Sequence, residues 1–156
     1  MNNTRGYLAE FLVAQALGLQ DVRRIEWDAY DLLVDGRIRV EVKSSAYLQA
    51  WEQRQLSNIR FTGLRGQVPG AAGDAPLAPT LNADVYMFCV QTATDHGLYD
   101  PLDLAQWQFY VLGRSDLEAA GVKDSLGLAT LTRLAGGPTP WAALNAEVHG
   151  RAGAAR

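Results

Sequence analysis

The chain has 156 residues, 48% of them hydrophobic and 20% charged, a composition that suits one globular domain with a sizeable core. No apolar run reaches the roughly 18 residues of a membrane span, and Met1-Asn2-Asn3-Thr4-Arg5 lacks the basic-then-apolar pattern of a secretory leader, so a cytoplasmic protein without a membrane partner is expected. The net charge of −3 argues against a dedicated high-affinity nucleic-acid binder, although the first 65 residues hold nine Lys/Arg against eight Asp/Glu and the acidic surplus lies in the remainder.

Residues 5–17 are expected to form a helix, with Thr4 as its cap and Gly18 at its end. Tyr7–Ala14 is nearly all apolar, so this helix is buried on more than one side. Glu10 is the one acid in it, and it either marks a solvated strip or points into a site. A first strand is expected over residues 22–27, then two more over 30–34 and 37–43, turning at Asp35-Gly36. Asp-Gly between apolar alternations is a strong hairpin signal. Strand character should continue through Ser45 toward Trp51, with residues 46–56 either extending it or forming a helix.

Residues 63–80, rich in Gly, Pro and Ala, read as a long loop. Asp84–Gln91 reads as a central buried strand and Gln106–Leu112 as another. Cys89, the only cysteine, lies within the apolar run and is expected to act as a small buried hydrophobe rather than a nucleophile. Ser115 should cap a short helix through Ala120, residues 126–134 should form a final strand, and Pro140 should open a last helix. The expected fold class is α/β (α+β), one domain over residues 1–150 with a flexible tail over 151–156.

The chemistry concentrates in Asp31 and Glu41-Val42-Lys43. Strand side chains alternate faces, so Glu41 and Lys43 share one while Ile38, Val40 and Val42 take the other. The turn decides where Asp31 goes. A two-residue loop would pair Asp31 with Val40, on the wrong side, and would set Leu32 against Arg39. A three-residue loop, or an equivalent bulge at Gly36, pairs Leu32 with Val40, Val34 with Ile38 and Asp31 with Glu41. Only the second register gives one consistent apolar face, so it is the one expected. Two carboxylates on one face of adjacent strands suit a hard divalent cation, with the Val42 carbonyl as a further oxygen ligand. A cation there acidifies a bound water, and Lys43 beside it can orient that water and offset developing negative charge. Alternating charges on an exposed strand are also common as a plain solvated pair. What raises the functional reading is the hairpin register, Glu10 upstream and Ser44-Ser45 downstream.

These residues resemble the PD-(D/E)XK phosphodiesterase superfamily, which includes restriction endonucleases and Holliday-junction resolvases. Asp31 matches its first acid, Glu41 the second, Lys43 the lysine, and Glu10 the acid that many members carry in the first helix. The resemblance covers residues 5–60 and implies a restriction endonuclease-like fold with a mixed central sheet flanked by helices. It also implies Mg²⁺ or Mn²⁺ at Asp31, Glu41, Val42 and Glu10, with Lys43, Glu41, Asp31 and Glu10 as the catalytic set. The activity it implies is phosphodiester hydrolysis of nucleic acid, DNA ahead of RNA. Small nucleases of this fold often act as dimers, so a homodimer is compatible with it. A competing expectation, favoured by the acidic net charge, is an inactive module of the same fold that binds a protein or nucleic-acid partner. Arg23, Arg24, Arg37, Arg39, Arg54, Arg60 and Arg65 are phosphate-contact candidates, Gln53 and Gln55 weaker ones, and Trp51 is the best candidate for an exposed aromatic.

Overall fold

A computed structural model describes residues 2–19, 30–67 and 78–153. The first helix, α1, spans Asn2–Ala16. It begins before the expected cap, so Thr4 lies inside it. Gly18, at φ 71, ends it. Leu19 N–H donates to Ala14 O and Gly18 N–H to Gln15 O, the paired bonds that satisfy the last carbonyls of a helix. The strand expected over residues 22–27 lies outside the described residues.

A four-stranded mixed sheet forms the centre, in the order β1 (Leu32–Val34), β2 (Ile38–Ala46), β4 (Val85–Gln91), β5 (Trp107–Gly113). The β1–β2 pair is antiparallel, β2–β4 parallel and β4–β5 antiparallel. A second, two-stranded sheet pairs β3 (Arg60–Phe61) with β6 (Leu126–Gly127). The remaining helices are α2 (Arg114–Ala119), α3 (Leu128–Ala135) and α4 (Leu144–Gly153).

Every residue of β4 is buried, so both faces of the sheet need a covering layer. On one face Val40, Val42, Met87 and Val111 pack with Ala9, Leu12 and Val13 of α1 and Leu144 and Val148 of α4. On the other, Tyr86, Phe88, Val90 and Leu112 pack with Phe61, Leu117, Leu126 and Leu131. Cys89 is fully buried and burial pushes its thiol up, as a packing role requires. Trp141 Nε1 donates to Leu12 O and ties the turn before α4 to α1. Among the described residues no helix is long and apolar enough to cross a membrane.

Asp84 fastens the three longest strands together. Its carboxylate accepts from the Arg39 backbone N–H at 2.9 Å and from the Arg39 guanidinium at 3.1 and 3.0 Å. Its own N–H donates to Arg39 O, and its carbonyl accepts from Arg114 N–H. The Arg39 hydrogen bond, the largest influence, holds the Asp84 carboxyl below its ordinary pKa.

Several expected elements are corrected. Residues 128–134 are helical rather than extended: Leu128, Leu131 and Leu134 recur at helical spacing, and Leu131 is wholly buried. The N-terminus of α2 is closed by Asp116, whose Oδ2 accepts from Gly113 N–H, and Ser115 lies inside the helix. Residues 47–58 form neither helix nor strand. Gln53 staples that segment, accepting from Gln49 N–H and donating to Tyr47 O and Ser57 Oγ. Of the loop expected over residues 63–80, residues 68–77 lie outside the described residues; on either side of them Gly66 and Thr80 exchange reciprocal backbone bonds. Helix α4 continues through Gly153, where Arg151 binds Glu147, Asp116 and Ala135 O, so residues 151–153 are not a flexible tail.

The hairpin tip is joined to α4 through His149. Its Nδ1 lies 2.7 Å from Asn145 O and its Nε2 2.6 Å from Asp35 Oδ2. An imidazole satisfies two acceptors only as the doubly protonated cation. The Asn145 carbonyl first, and then the Asp35 carboxylate, hold its pKa above the ordinary value. Because the folded-state value is the higher one, the contribution is complete below the unfolded pKa near ~6.5 and is lost as pH rises through the folded-state pKa. Screening at this exposed site limits it to under about 1 kcal/mol. Urea midpoints measured from about pH 5.5 to 8.5 should therefore fall more for the wild type than for His149→Asn. Parallel profiles would show that the pair contributes nothing.

Candidate functional site

The apolar alternation sets the hairpin register. Leu32 pairs with Val40, Leu33 with Arg39 and Val34 with Ile38, the pairing expected from the sequence. Three residues, 35–37, make the turn. Asp35 (φ 53) and Gly36 (φ 65) both take left-handed backbone, and Arg37 N–H closes the turn on Val34 O at 3.1 Å. Asn, Asp and Gly are the residues that adopt this conformation readily, which is why Asp-Gly stands here.

One step beyond the ladder, Asp31 bonds β2 on either side of Glu41. Asp31 N–H donates to Val40 O at 3.0 Å, and its Oδ2 accepts from Val42 N–H at 2.7 Å. The second bond follows from the shortness of β1. The edge of β2 runs on past Leu32, and the Asp31 carboxylate takes the Val42 N–H that a longer strand would have paired. In extended backbone the N–H and C=O of one residue leave on the same side. The Val42 carbonyl therefore points to the same edge as the Asp31 carboxylate.

Glu41 and Lys43 lie on the face opposite α1, and their side chains are 21% and 24% exposed. Lys43 Nζ stands 3.3 Å from Glu41 Oε1. Across β4 the register sets Glu41 beside Tyr86 and Lys43 beside Phe88. Burial, chiefly, pushes the Tyr86 phenol up, and the Glu41 charge adds to this. Gly63 closes the other side. A side chain there would start 3.8 Å from Lys43 Nζ, and its φ of 67 is unfavourable to any residue with a Cβ. Nothing local in the sequence links Gly63 to Lys43; only the path of the chain after β3 brings them together.

Asp31 and the Val42 backbone thus stand at the edge of β2, and the Glu41–Lys43 pair stands on the adjoining face. Glu10 is half-buried on α1, the helix that covers the opposite face of the sheet. Among the described residues no three acidic, histidine or cysteine side chains form a group able to hold an ion. The candidate oxygens are the Asp31 carboxylate and the Val42 carbonyl at the edge and the Glu41 carboxylate on the face beside it. Two carboxylates and a carbonyl are an oxygen set of the kind that Mg²⁺ takes when it keeps several waters.

The arginine candidates divide. Arg39 is committed to Asp84, Arg60 Nη2 donates to Ser125 Oγ, and Arg65 binds Lys123 O and Val122 O. Arg37 and Arg54 are exposed, and Arg23 and Arg24 lie outside the described residues. Gln53 has the structural task given above, and Gln55 is exposed. Trp51 is 58% exposed, as expected, while Trp107 is buried and Trp141 packs against the core.

No family model, curated protein or solved structure matches this chain.

The Asp31–Val42 bond separates a structural task from a chemical one. Asp31→Asn keeps an acceptor for the Val42 N–H and should leave the urea midpoint nearly unchanged. Asp31→Ala removes it and should cost about 1–3 kcal/mol, the penalty of an unsatisfied partly buried donor. Equal stabilities of the two variants would show that the bond does not hold the edge.

Proposed function

We propose that this chain is a metal-dependent phosphodiesterase of restriction endonuclease-like fold that hydrolyses nucleic acid, DNA ahead of RNA, in the cytoplasm. One observation carries the reading: Asp31 bonds Val40 O and the Val42 amide, on either side of Glu41, and Lys43 Nζ stands 3.3 Å from Glu41.

Asp31, Glu41 and the Val42 carbonyl are the proposed ligands of Mg²⁺ or Mn²⁺. Glu10, half-buried on α1, is the further acid that the resemblance adds to that set. A cation bound there would lower the pKa of a coordinated water and offset charge on a phosphoryl oxygen. The protein's own part is positional. The short β1 holds Asp31 at the edge, and the strand alternation aims Glu41 and Lys43 to one side. Lys43 donates to the attacking water or to a non-bridging phosphate oxygen as charge builds there. The water oxygen bonds to phosphorus as the water gives up a proton to bulk solvent, the bond to the leaving oxygen breaks, and solvent protonates that oxygen. Lys43 is paired with Glu41 beforehand, so its ammonium is already oriented.

A second reading has support from the same geometry. The Asp31 and Glu41 oxygens already have partners in Val42 N–H and Lys43, so the acids are compensated without an ion. With a net charge of −3, that suits an inactive module of the same fold.

Two measurements separate them. Cleavage of a DNA substrate with Mg²⁺ or Mn²⁺ should fall on the order of 100-fold or more in Glu41→Gln and in Lys43→Met, at unchanged thermal midpoint. Equal cleavage by wild type and both variants would place the activity elsewhere or in a contaminant. Calorimetric titration with Mn²⁺ should show binding that disappears in Asp31→Asn and Glu41→Gln; no binding by the wild type would favour the inactive module.

A further inference from the structure

A recess of about 170 Å³ lies at the far end of β2, lined by Arg5, Ala46, Leu48, Gln49, His96 and Tyr99, with Ala50 at its rim. We infer that this recess is a binding site for a phosphate-type oxyanion, held by Arg5 and His96. The inference does not rest on the nuclease reading. Arg5 stands on α1, and Ala46 has the same strand parity as Val40 and Val42, so the recess opens on the α1 side of the sheet. Glu41 and Lys43 face the other way.

Four features support an anion. The first is the donor set. Arg5 brings a permanently charged guanidinium, and His96 and Tyr99 bring a ring nitrogen and a phenol, while no carboxylate lines the recess among the described residues. The second is the mounting of Arg5. Its Nη1 lies 3.5 Å from Gln49 Oε1, and Gln49 is itself fixed, its Nε2 donating to Ala46 O and its N–H to Gln53 Oε1. Burial, the largest influence on Arg5, opposes its charge, which limits the guanidinium to a fixed, partly desolvated position.

The third is place. Strands β2 and β4 run parallel and end at Ala46 and Gln91, and the loop leaving β4 carries His96 and Tyr99. Crevices outside the carboxyl ends of parallel strands are where open α/β sheets bind ligands. The fourth is size. The volume falls below the roughly 300 Å³ at which sites for drug-sized ligands begin, and it amply holds a tetrahedral oxyanion. The shared chemistry, a phosphate, has two sources: the free ion, or the terminal phosphate of a nucleic-acid strand.

The test follows NMR shifts of the His96 and Tyr99 ring signals in the full chain during titration with inorganic phosphate, and in separate samples with a 5′-phosphorylated and a 5′-hydroxyl oligonucleotide. Saturable shifts at millimolar phosphate are expected, weakened on the order of tenfold in Arg5→Gln. His96→Asn, in an exposed loop, should also weaken binding as read from Tyr99, and it covers the case in which the helix variant fails to fold. Tighter binding of the phosphorylated than of the hydroxyl oligonucleotide, beyond that of free phosphate, assigns the source to a strand end. Free phosphate binding as tightly as the phosphorylated strand assigns it to the ion. The absence of saturable shifts in the wild type with both phosphate probes, or shifts of equal affinity in both variants, overturns the inference.

Discussion

The structure is organised by β4. All seven residues of Val85–Gln91 are buried, and Tyr86, Phe88 and Val90 face one side while Val85, Met87 and Cys89 face the other. Burying one large apolar side chain contributes about 1.5–3 kcal/mol, so a strand with apolar side chains on both faces favours a layer on each. Helices α1 and α4 supply one. The other is assembled from short pieces: β3, β6, α2, α3 and the residues between them. Gln91, the one polar residue of the strand, is accommodated because its amide donates to Gln106 Oε1 and its Oε1 accepts from Ala93 N–H.

Among the described residues, that second layer covers β4 more fully than β2. At β4 the patchwork covers Tyr86 and Phe88 completely. One strand away, Glu41 and Lys43 are only partly covered, with Gly63 close to the lysine. A charged pair is sustainable at this boundary. Deeper, the desolvation of both ions would outweigh their attraction; further out, salt and water would screen it. The Arg39–Asp84 clamp sets the position of the boundary. It fixes the parallel register at the first residues of β2 and β4, and from there Glu41 lies beside Tyr86 and Lys43 beside Phe88.

What was legible in the sequence tracks how local the determining physics is. The hairpin register was legible because the alternation of Leu32, Val34, Ile38, Val40 and Val42 permits only one pairing that buries all five together. The burial of β4 and β5 was legible from continuous apolar runs. Residues 126–134 misled because they carry two periods. Leu126 and Leu128 alternate as in a strand, and Leu128, Leu131 and Leu134 recur as in a helix. The chain uses both in turn, two residues of β6 followed at once by α3. The segment after Ala46 has no period, since its order comes from the bonds of Gln53. No pattern distinguishes that glutamine from Gln55 two residues on.

The site divides along the same line. Glu41 and Lys43 share a face by strand parity, and one turn sets the register that brings Asp31 to the adjoining edge. Gly63 and the Asp84 clamp depend on where distant segments return, and no local signal announces them. Glu10 is a different case. It is half-buried on α1, whose apolar neighbours pack against β2 from the layer opposite Glu41, so strand parity says nothing about where its carboxylate lies. The shortness of β1 acts on the other acid: it leaves the Val42 amide to Asp31.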